Sequence, residues 1–391
     1  MNRNVVLLAL SQALAMTVVS LMLSASALVS VGLLAAPGWA TLPLAVQYLA
    51  TMLALHPLAR LMARRGRRPV FVGAALVGAA GLALAVAGLL RGSFAVFVLS
   101  GLCVGVLGAV SQFYRFAAAE AVPTAQRSQA ISLTLAGGVL AAFLGPFIAR
   151  TTRELAGTPF LASFAVLVGV ALLAAGLGLF LRLPVSPRPE AGRAPRPLGQ
   201  IARQGDFRLA VAGAAVGYAA MGLLMTATPL AMLCVRHDFD STMTVIQWHL
   251  VAMFAPSFVT GLLIGRLGVL QVMSLGGALV LAGIGVALAG DAIAHFSGAL
   301  VLVGVGWNFL YVGATTLLTQ TCRDEEKPTV QAFNDSVVFL SVTLATLGAG
   351  PLVDRLGWAT VNLLVVVPVA LLMAGLLRAL RRRRAGLAPA A

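Results

Sequence analysis

Twelve long apolar stretches separated by short polar breaks make up nearly all of this 391-residue chain. They fall near 5–30, 41–63, 69–90, 94–118, 128–149, 160–181, 209–233, 243–265, 270–289, 297–319, 329–352 and 358–380. Each is about 20 residues or more, the length a helix needs to cross the hydrocarbon core of a bilayer. Glycine and proline recur inside them, as in Gly145-Pro146, Pro229, Pro256 and Gly350-Pro351. Membrane helices tolerate this where neighbouring helices satisfy the freed backbone groups. The pattern predicts an all-α polytopic membrane protein with twelve transmembrane helices.

The second half repeats the first at a constant offset of 202 residues. Ser24-Ala25-Ser26-Ala27-Leu28 recurs as Thr226-Ala227-Thr228-Pro229-Leu230, Arg64-Arg65-Gly66 as Arg266-Leu267-Gly268, and Gln129-Ala130 as Gln331-Ala332. A shared offset over more than 100 residues indicates a duplicated unit. The expected organisation is a six-helix bundle over 1–183, a linker over 184–208, and a second six-helix bundle with a basic tail over 209–391. The linker carries Pro184, Pro187, Pro189, Pro195 and Pro197. It reads either as a stiffened segment held at an anionic leaflet or as a solvated spacer.

Composition supports a lipid solvent. The chain is 60% hydrophobic and 10% charged, outside the range of soluble domains. Its net charge of +15 does not point to nucleic acid, because the arginines sit between apolar spans and form no aromatic-interleaved basic face. With the N-terminus inside, twenty-one basic residues fall on the cytoplasmic side and five on the other, while Arg115 lies within a span. This bias predicts a multi-pass protein of the inner membrane with both termini cytoplasmic. The first apolar run is too long for the core of a cleavable signal peptide and reads as a signal anchor. Cys103, Cys234 and Cys322 show no pair spacing, so neither disulfide nor metal site is expected.

Between spans 2 and 3 runs Ala59-Arg60-Leu61-Met62-Ala63-Arg64-Arg65-Gly66-Arg67-Arg68-Pro69. It resembles the Gly-x-Leu-x-Asp-Arg-x-Gly-Arg-Arg loop motif of the major facilitator superfamily, and Gly261 to Gly268 looks like a degenerate second copy. Gly137 to Pro146 is similar to that family's antiporter-associated glycine–proline motif. The resemblance implies two six-helix bundles that rock about a central site. Two departures stand out: the leading glycine is Ala59 and the acidic position is Ala63, so the carboxylate that helps lock the cytoplasmic gate is missing. Ala149 and Arg150 replace the final small residues of the second motif, which weakens an inference of antiport.

Arg64, Arg67 and Arg68 at the end of span 2 are expected to meet carboxylates or helix C-terminal carbonyls of the facing bundle, or to serve as topological anchors. Among the twelve acids, Asp335 alone falls clearly inside a span, and an ionised carboxylate there is costly enough to mark a functional site. It reads as a gate partner, a proton site or a hydrogen-bonded structural acid. Arg115, near the cytoplasmic end of span 4, needs a partner: an anionic substrate group, Asp335, or Glu120 on its own helix. Glu120 itself could instead meet Arg64 or Arg127. His249 in span 8 is a candidate for proton coupling or a structural hydrogen-bonder, with His56 the weaker candidate.

In the family, spans 1, 4, 7 and 10 line the central cavity. The resemblance thus implies a lining of Ser20, Ser24, Gln112, Arg115, Met225, Thr226, Trp307, Asn308 and Tyr311, of which about half would touch substrate. Asn308, Tyr311 and Thr315 also share one helical face, which should turn towards the bundle interior.

No phosphate-binding loop of the Gly-x4-Gly-Lys-Ser/Thr kind is present, and no clustered acids, paired histidines or activated nucleophile occur at usable spacing. The sequence therefore predicts a secondary active transporter, not an enzyme. It would act as a monomer without cofactor, moving a small organic solute by alternating access, coupled to a proton gradient. Efflux antiport and nutrient-uptake symport both stay open, and a non-transporting membrane receptor is the alternative class.

Overall fold

The computed structural model describes residues 2–34, 37–123, 126–183, 196–323 and 326–386. Secondary structure among the described residues is entirely helical. The first half contains α1 (Arg3–Leu33), α2 (Leu42–Arg65), α3 (Arg67–Leu90), α4 (Phe94–Glu120), α5 (Arg127–Thr152) and α6 (Leu161–Leu179). A single turn, α7 (Leu198–Ile201), leads into α8 (Gly205–Cys234), α9 (Phe239–Phe254), α10 (Ser257–Leu267), α11 (Val269–Leu288), α12 (Ile293–Thr319) and α13 (Lys327–Arg384). Ten helices are individually long and apolar enough to span a bilayer, and α9 with α10 makes one more, bent by 43°. The 58-residue α13 counts twice, because Gly357 (φ 77°, ψ 170°) divides it into two rods. The result is the expected twelve.

The first and last helices begin and end, respectively, on one face, here the terminal face. The Asn2 amide donates to the Ala121 carbonyl at the end of α4 (2.7 Å), and Arg383 pairs with Asp206 at the start of α8 (2.7 Å). On this face the duplication is visible in the backbone itself. Gly66 (φ 82°, ψ 166°) and Gly268 (φ 91°, ψ 151°) turn the chain between α2 and α3 and between α10 and α11. Each donates its N–H to the carbonyl four residues earlier, Met62 and Ile264 respectively, at 2.9 Å. A side chain is strained at such φ values, so glycine at both corners of the repeat has a backbone cause.

Close helix packing rests on small residues, as expected where lipid removes the hydrophobic drive for association. A Cβ on Gly101 or Gly105 of α4 would sit 2.5 Å from the Pro43 or Gln47 carbonyl oxygen of α2. The Thr51 hydroxyl of α2 in turn donates towards Gly105 O at 3.0 Å. Within the halves, α1 packs on α5 and α4, α3 on α4 and α6, α8 on α12 and α13, and α11 on α12. Between the halves the main contacts are α2 with α13 and α5 with α9.

On the far face the halves are clasped. The Arg153 guanidinium lies 4.4 Å from the centre of the Phe239 ring and 5.6 Å from that of Phe160, and the two rings meet edge to face at 5.4 Å. Phe160 holds this place with a left-handed backbone (φ 65°), uncommon for a bulky residue. Arg150 adds a 2.8 Å bond to the Thr244 hydroxyl across the same seam.

Most of the proline-rich linker, 184–195, lies outside the described residues. Its last part is anchored: Arg196 forms a bidentate pair with Glu326 (2.7 and 2.8 Å) just before α13. That pair, with the Arg323 N–H, holds the Glu326 carboxyl down at about 2.

Candidate functional site

A cavity of about 210 Å³ opens between the halves in the terminal half of the interface. Leu55, His56 and Ala59 of α2 and Phe113, Arg115 and Phe116 of α4 line one side; Tyr311, Thr315 and Leu318 of α12 and Gln331, Asn334 and Asp335 of α13 line the other. Helical periodicity accounts for the set. Tyr311, Thr315 and Leu318 lie at i, i+4 and i+7 on one face of α12, and Gln331 and Asp335 at i and i+4 on α13. Asp335 lies eight residues into α13, about 12 Å from its start, and Arg115 about 8 Å from the end of α4.

Arg115 and Asp335 face the cavity from opposite halves without forming an ion pair. Arg115 Nε is buried with no hydrogen-bond partner, and its guanidinium carbon lies 4.9 Å from the centre of the Phe116 ring. Among the described residues, the one hydrogen bond to the Asp335 carboxylate comes from the Asn334 amide, at 3.2 Å. The two side chains leave donor and acceptor capacity for a third group between them.

Above the cavity lies an aromatic cluster. Trp307 and Tyr311 stack with their planes 9° apart and centroids at 5.2 Å, and Tyr218 of α8 meets both edge to face at 5.2 Å. Phe339 approaches Tyr218 at 6.0 Å and Tyr48 at 6.5 Å, which brings α2 of the first half into contact with the second. Beyond these rings a smaller space of about 50 Å³ is bounded by Gln47, Tyr48, Thr51, Ser111, Gln112, Tyr218 and mostly apolar neighbours.

Several residues expected in the lining have other work. Ser24 donates to Ser20 O within α1, and Ser20 Oγ lies against Gly145 of α5. Met225 and Thr226 are buried in α8 and border neither space. Asn308 faces the interior as its helical position requires, yet both its amide hydrogens and its oxygen are engaged at the break in span 8. Pro256 lacks an N–H and ends α9, freeing carbonyls of its last turn. The Asn308 amide donates to Met253 O (2.7 Å) and to Ser257 Oγ (2.6 Å), and its oxygen accepts from Thr260 Oγ1 (2.6 Å).

His249 is buried between α9 and α12, away from the cavity. Its Nδ1 lies 2.6 Å from Leu300 O, so that nitrogen carries the proton, and Nε2 is buried without a partner. Glu120 is bound by Arg67 through a bidentate pair (3.0 and 2.5 Å), not by Arg64. The Arg127 side chain lies outside the described residues. This pair joins the start of α3 to the end of α4 inside one bundle, so it does not bridge the halves. Arg64 and Arg68 are exposed on the terminal face.

Sequence reasoning missed Tyr218, Tyr48, Phe339, Gln331 and Asn334. One signal was available: the chain has only four tyrosines, and three of them, Tyr48, Tyr218 and Tyr311, meet in this cluster.

A sequence profile of the Major Facilitator Superfamily matches residues 5–233 and again 212–390, one match for each half. The chain belongs to this superfamily. A superfamily protein of Brucella anthropi, "Riboflavin transporter RfnT", is 38% identical over 387 residues, covering 98% of this chain and 97% of that protein. Two Bacillus subtilis proteins, "Uncharacterized MFS-type transporter YdeG" and "Uncharacterized MFS-type transporter YddS", are each 28% identical, over 88% and 79% of this chain and 85% and 76% of their own lengths. The chain is therefore a multi-pass membrane transporter and not an enzyme.

Proposed function

We propose that this transporter carries riboflavin, or a flavin of closely similar shape, by alternating access through the cavity between Arg115 and Asp335. The observation that carries the reading is the near full-length similarity to the Brucella anthropi protein. The site's chemistry supports it. Riboflavin joins a planar tricyclic ring to a polyol chain and is uncharged near neutral pH. Tyr311, backed by its stack on Trp307, offers an aromatic surface to such a ring from the cavity wall. Arg115 can donate to the carbonyl edge of the ring, while Asp335, Asn334 and Gln331 can meet its imide N–H or the polyol hydroxyls.

The reading extends to topology and energy. The terminal face is taken as cytoplasmic, which makes the present state inward-facing with its far side clasped at Arg153, Phe160 and Phe239. The chain works as a monomer in the inner membrane. Asp335 takes up and releases the coupling proton, and an ionised or neutral carboxyl there changes the attraction to Arg115 and so the balance between facing states.

Uptake of riboflavin into proteoliposomes holding the purified chain tests the reading. Saturable uptake competed by unlabelled riboflavin is expected, and stimulation by an imposed proton gradient would support coupling. Uptake no faster than in empty liposomes would overturn it.

A further inference from the structure

A large groove among the described residues lies away from the transport pathway. It has a volume of about 720 Å³ and runs between the start of α8 and the end of α13. One end is basic: Arg208, Arg378, Arg382 and Arg383 surround the mouth together with Asp206. Asp206 binds Arg383 at 2.7 Å, which offsets one charge of each sign. Arg208, Arg378 and Arg382 form no ion pair among the described residues and are exposed. The other end is apolar, with Ala212, Val216, Pro368 and Leu371 on its walls.

The dimensions select the occupant. From Gly205 to Val216, and from Arg383 back to Pro368, the walls run about 17 and 22 Å along the helices, close to the depth of one leaflet from headgroup to midplane. A soluble anion would use only the basic mouth and leave the apolar walls bare. The first N–H groups of α8 open onto the same mouth and add a partial positive charge suited to phosphate.

We propose that this groove is a binding site for an anionic diacyl phospholipid of the leaflet at the terminal face. Its phosphate rests on Arg208, Arg378 and Arg382, and one acyl chain lies against Ala212, Val216 and Leu371. The lipid would join the first span of the second bundle to the last.

The test uses the purified full chain, stripped of lipid in neutral detergent and titrated by native mass spectrometry with phosphatidylglycerol, phosphatidylcholine or inorganic phosphate. One retained phosphatidylglycerol per chain is expected, with phosphatidylcholine and phosphate binding far more weakly. The double variant Arg378→Gln/Arg382→Gln should weaken phosphatidylglycerol about thirtyfold, each arginine at the surface being worth about a factor of five. Ala212→Phe keeps every charge but fills the groove and should abolish the retained lipid, while Arg60→Gln/Arg65→Gln on the first bundle should leave it bound. Equal binding of phosphatidylcholine, or of phosphate alone, would overturn the proposal. So would full retention in Ala212→Phe, a result that stands even where the arginine variant fails to fold.

Discussion

Arg115 of the first bundle and Asp335 of the second face one cavity from opposite walls, and no ion pair joins them. A guanidinium and a carboxylate held apart across a cavity are a pair whose spacing a bound solute, a proton or a rocking motion can change. Asp335→Asn removes the charge and keeps the bulk, so the variant should insert and fold. In the proposed coupling role it retains solute exchange in counterflow and loses accumulation driven by a proton gradient. Loss of both activities would instead make Asp335 a gate residue.

Asn308 is predicted to act on stability more than on binding. Asn308→Ala leaves Met253 O and the Ser257 hydroxyl without their partner at the break in span 8, while Thr260 keeps its bond to Pro256 O. Buried groups deprived of a partner each cost about 1–3 kcal/mol, so a loss of about 2–4 kcal/mol after partial relaxation is expected. A clear fall in Tm with substrate affinity per folded molecule unchanged would bear this out. An unchanged Tm with lost affinity would return Asn308 to the substrate site.

How much of this was legible in the chain varies with the range of the interaction. The spans, the duplication and the corner at Gly66 with its copy at Gly268 depend on local hydropathy and backbone angles, and these can be read directly. Pro256 marked a weak point in span 8, but its repair comes from Asn308, whose partners lie 48 to 55 residues away. Nothing in the polarity of Asn308 separates that duty from solute binding. Tyr218 and Phe339 look like ordinary apolar-span residues until the halves are brought together. Arg67 was legible as a basic loop residue, but its choice of Glu120 over a carboxylate across the interface was set by the α3–α4 contact.

The far-face clasp should set the balance between facing states. A cation over an aromatic ring contributes about 0.5–2 kcal/mol, so Phe239→Ala is expected to raise the far-open population by up to about thirtyfold. Spin-label distances between the α5–α6 corner and the start of α9 would report it as a longer component. An unaltered distance distribution would assign the contact to packing alone.

The Arg196–Glu326 clip predicts a pH dependence of known sign. Glu326 has a folded-state pKa of about 2, below its ordinary value near 4.5. Its contribution to stability is therefore fully present above about 4.5 and is lost as pH falls from there towards 2. Thermal unfolding followed from pH 6 to pH 3 should fall more steeply in the parent than in Glu326→Gln. Parallel curves would show that the clip adds nothing to stability.

Flavin fluorescence gives the sharpest test of the proposed function, because a ring lying against Tyr311, with Trp307 stacked behind it, is expected to be quenched by electron transfer from these electron-rich rings. Titrating the purified chain into riboflavin should give saturable quenching that excess unlabelled competitor of unlike shape, such as a sugar, does not reverse. Arg115→Lys should weaken the binding behind that quenching, since an ammonium cannot reproduce the planar guanidinium fork. The account predicts one site per chain, with Arg115→Lys folded and impaired. Absence of quenching by the parent, or equal quenching by Arg115→Lys and by a variant lacking both rings of the stack, would contradict it.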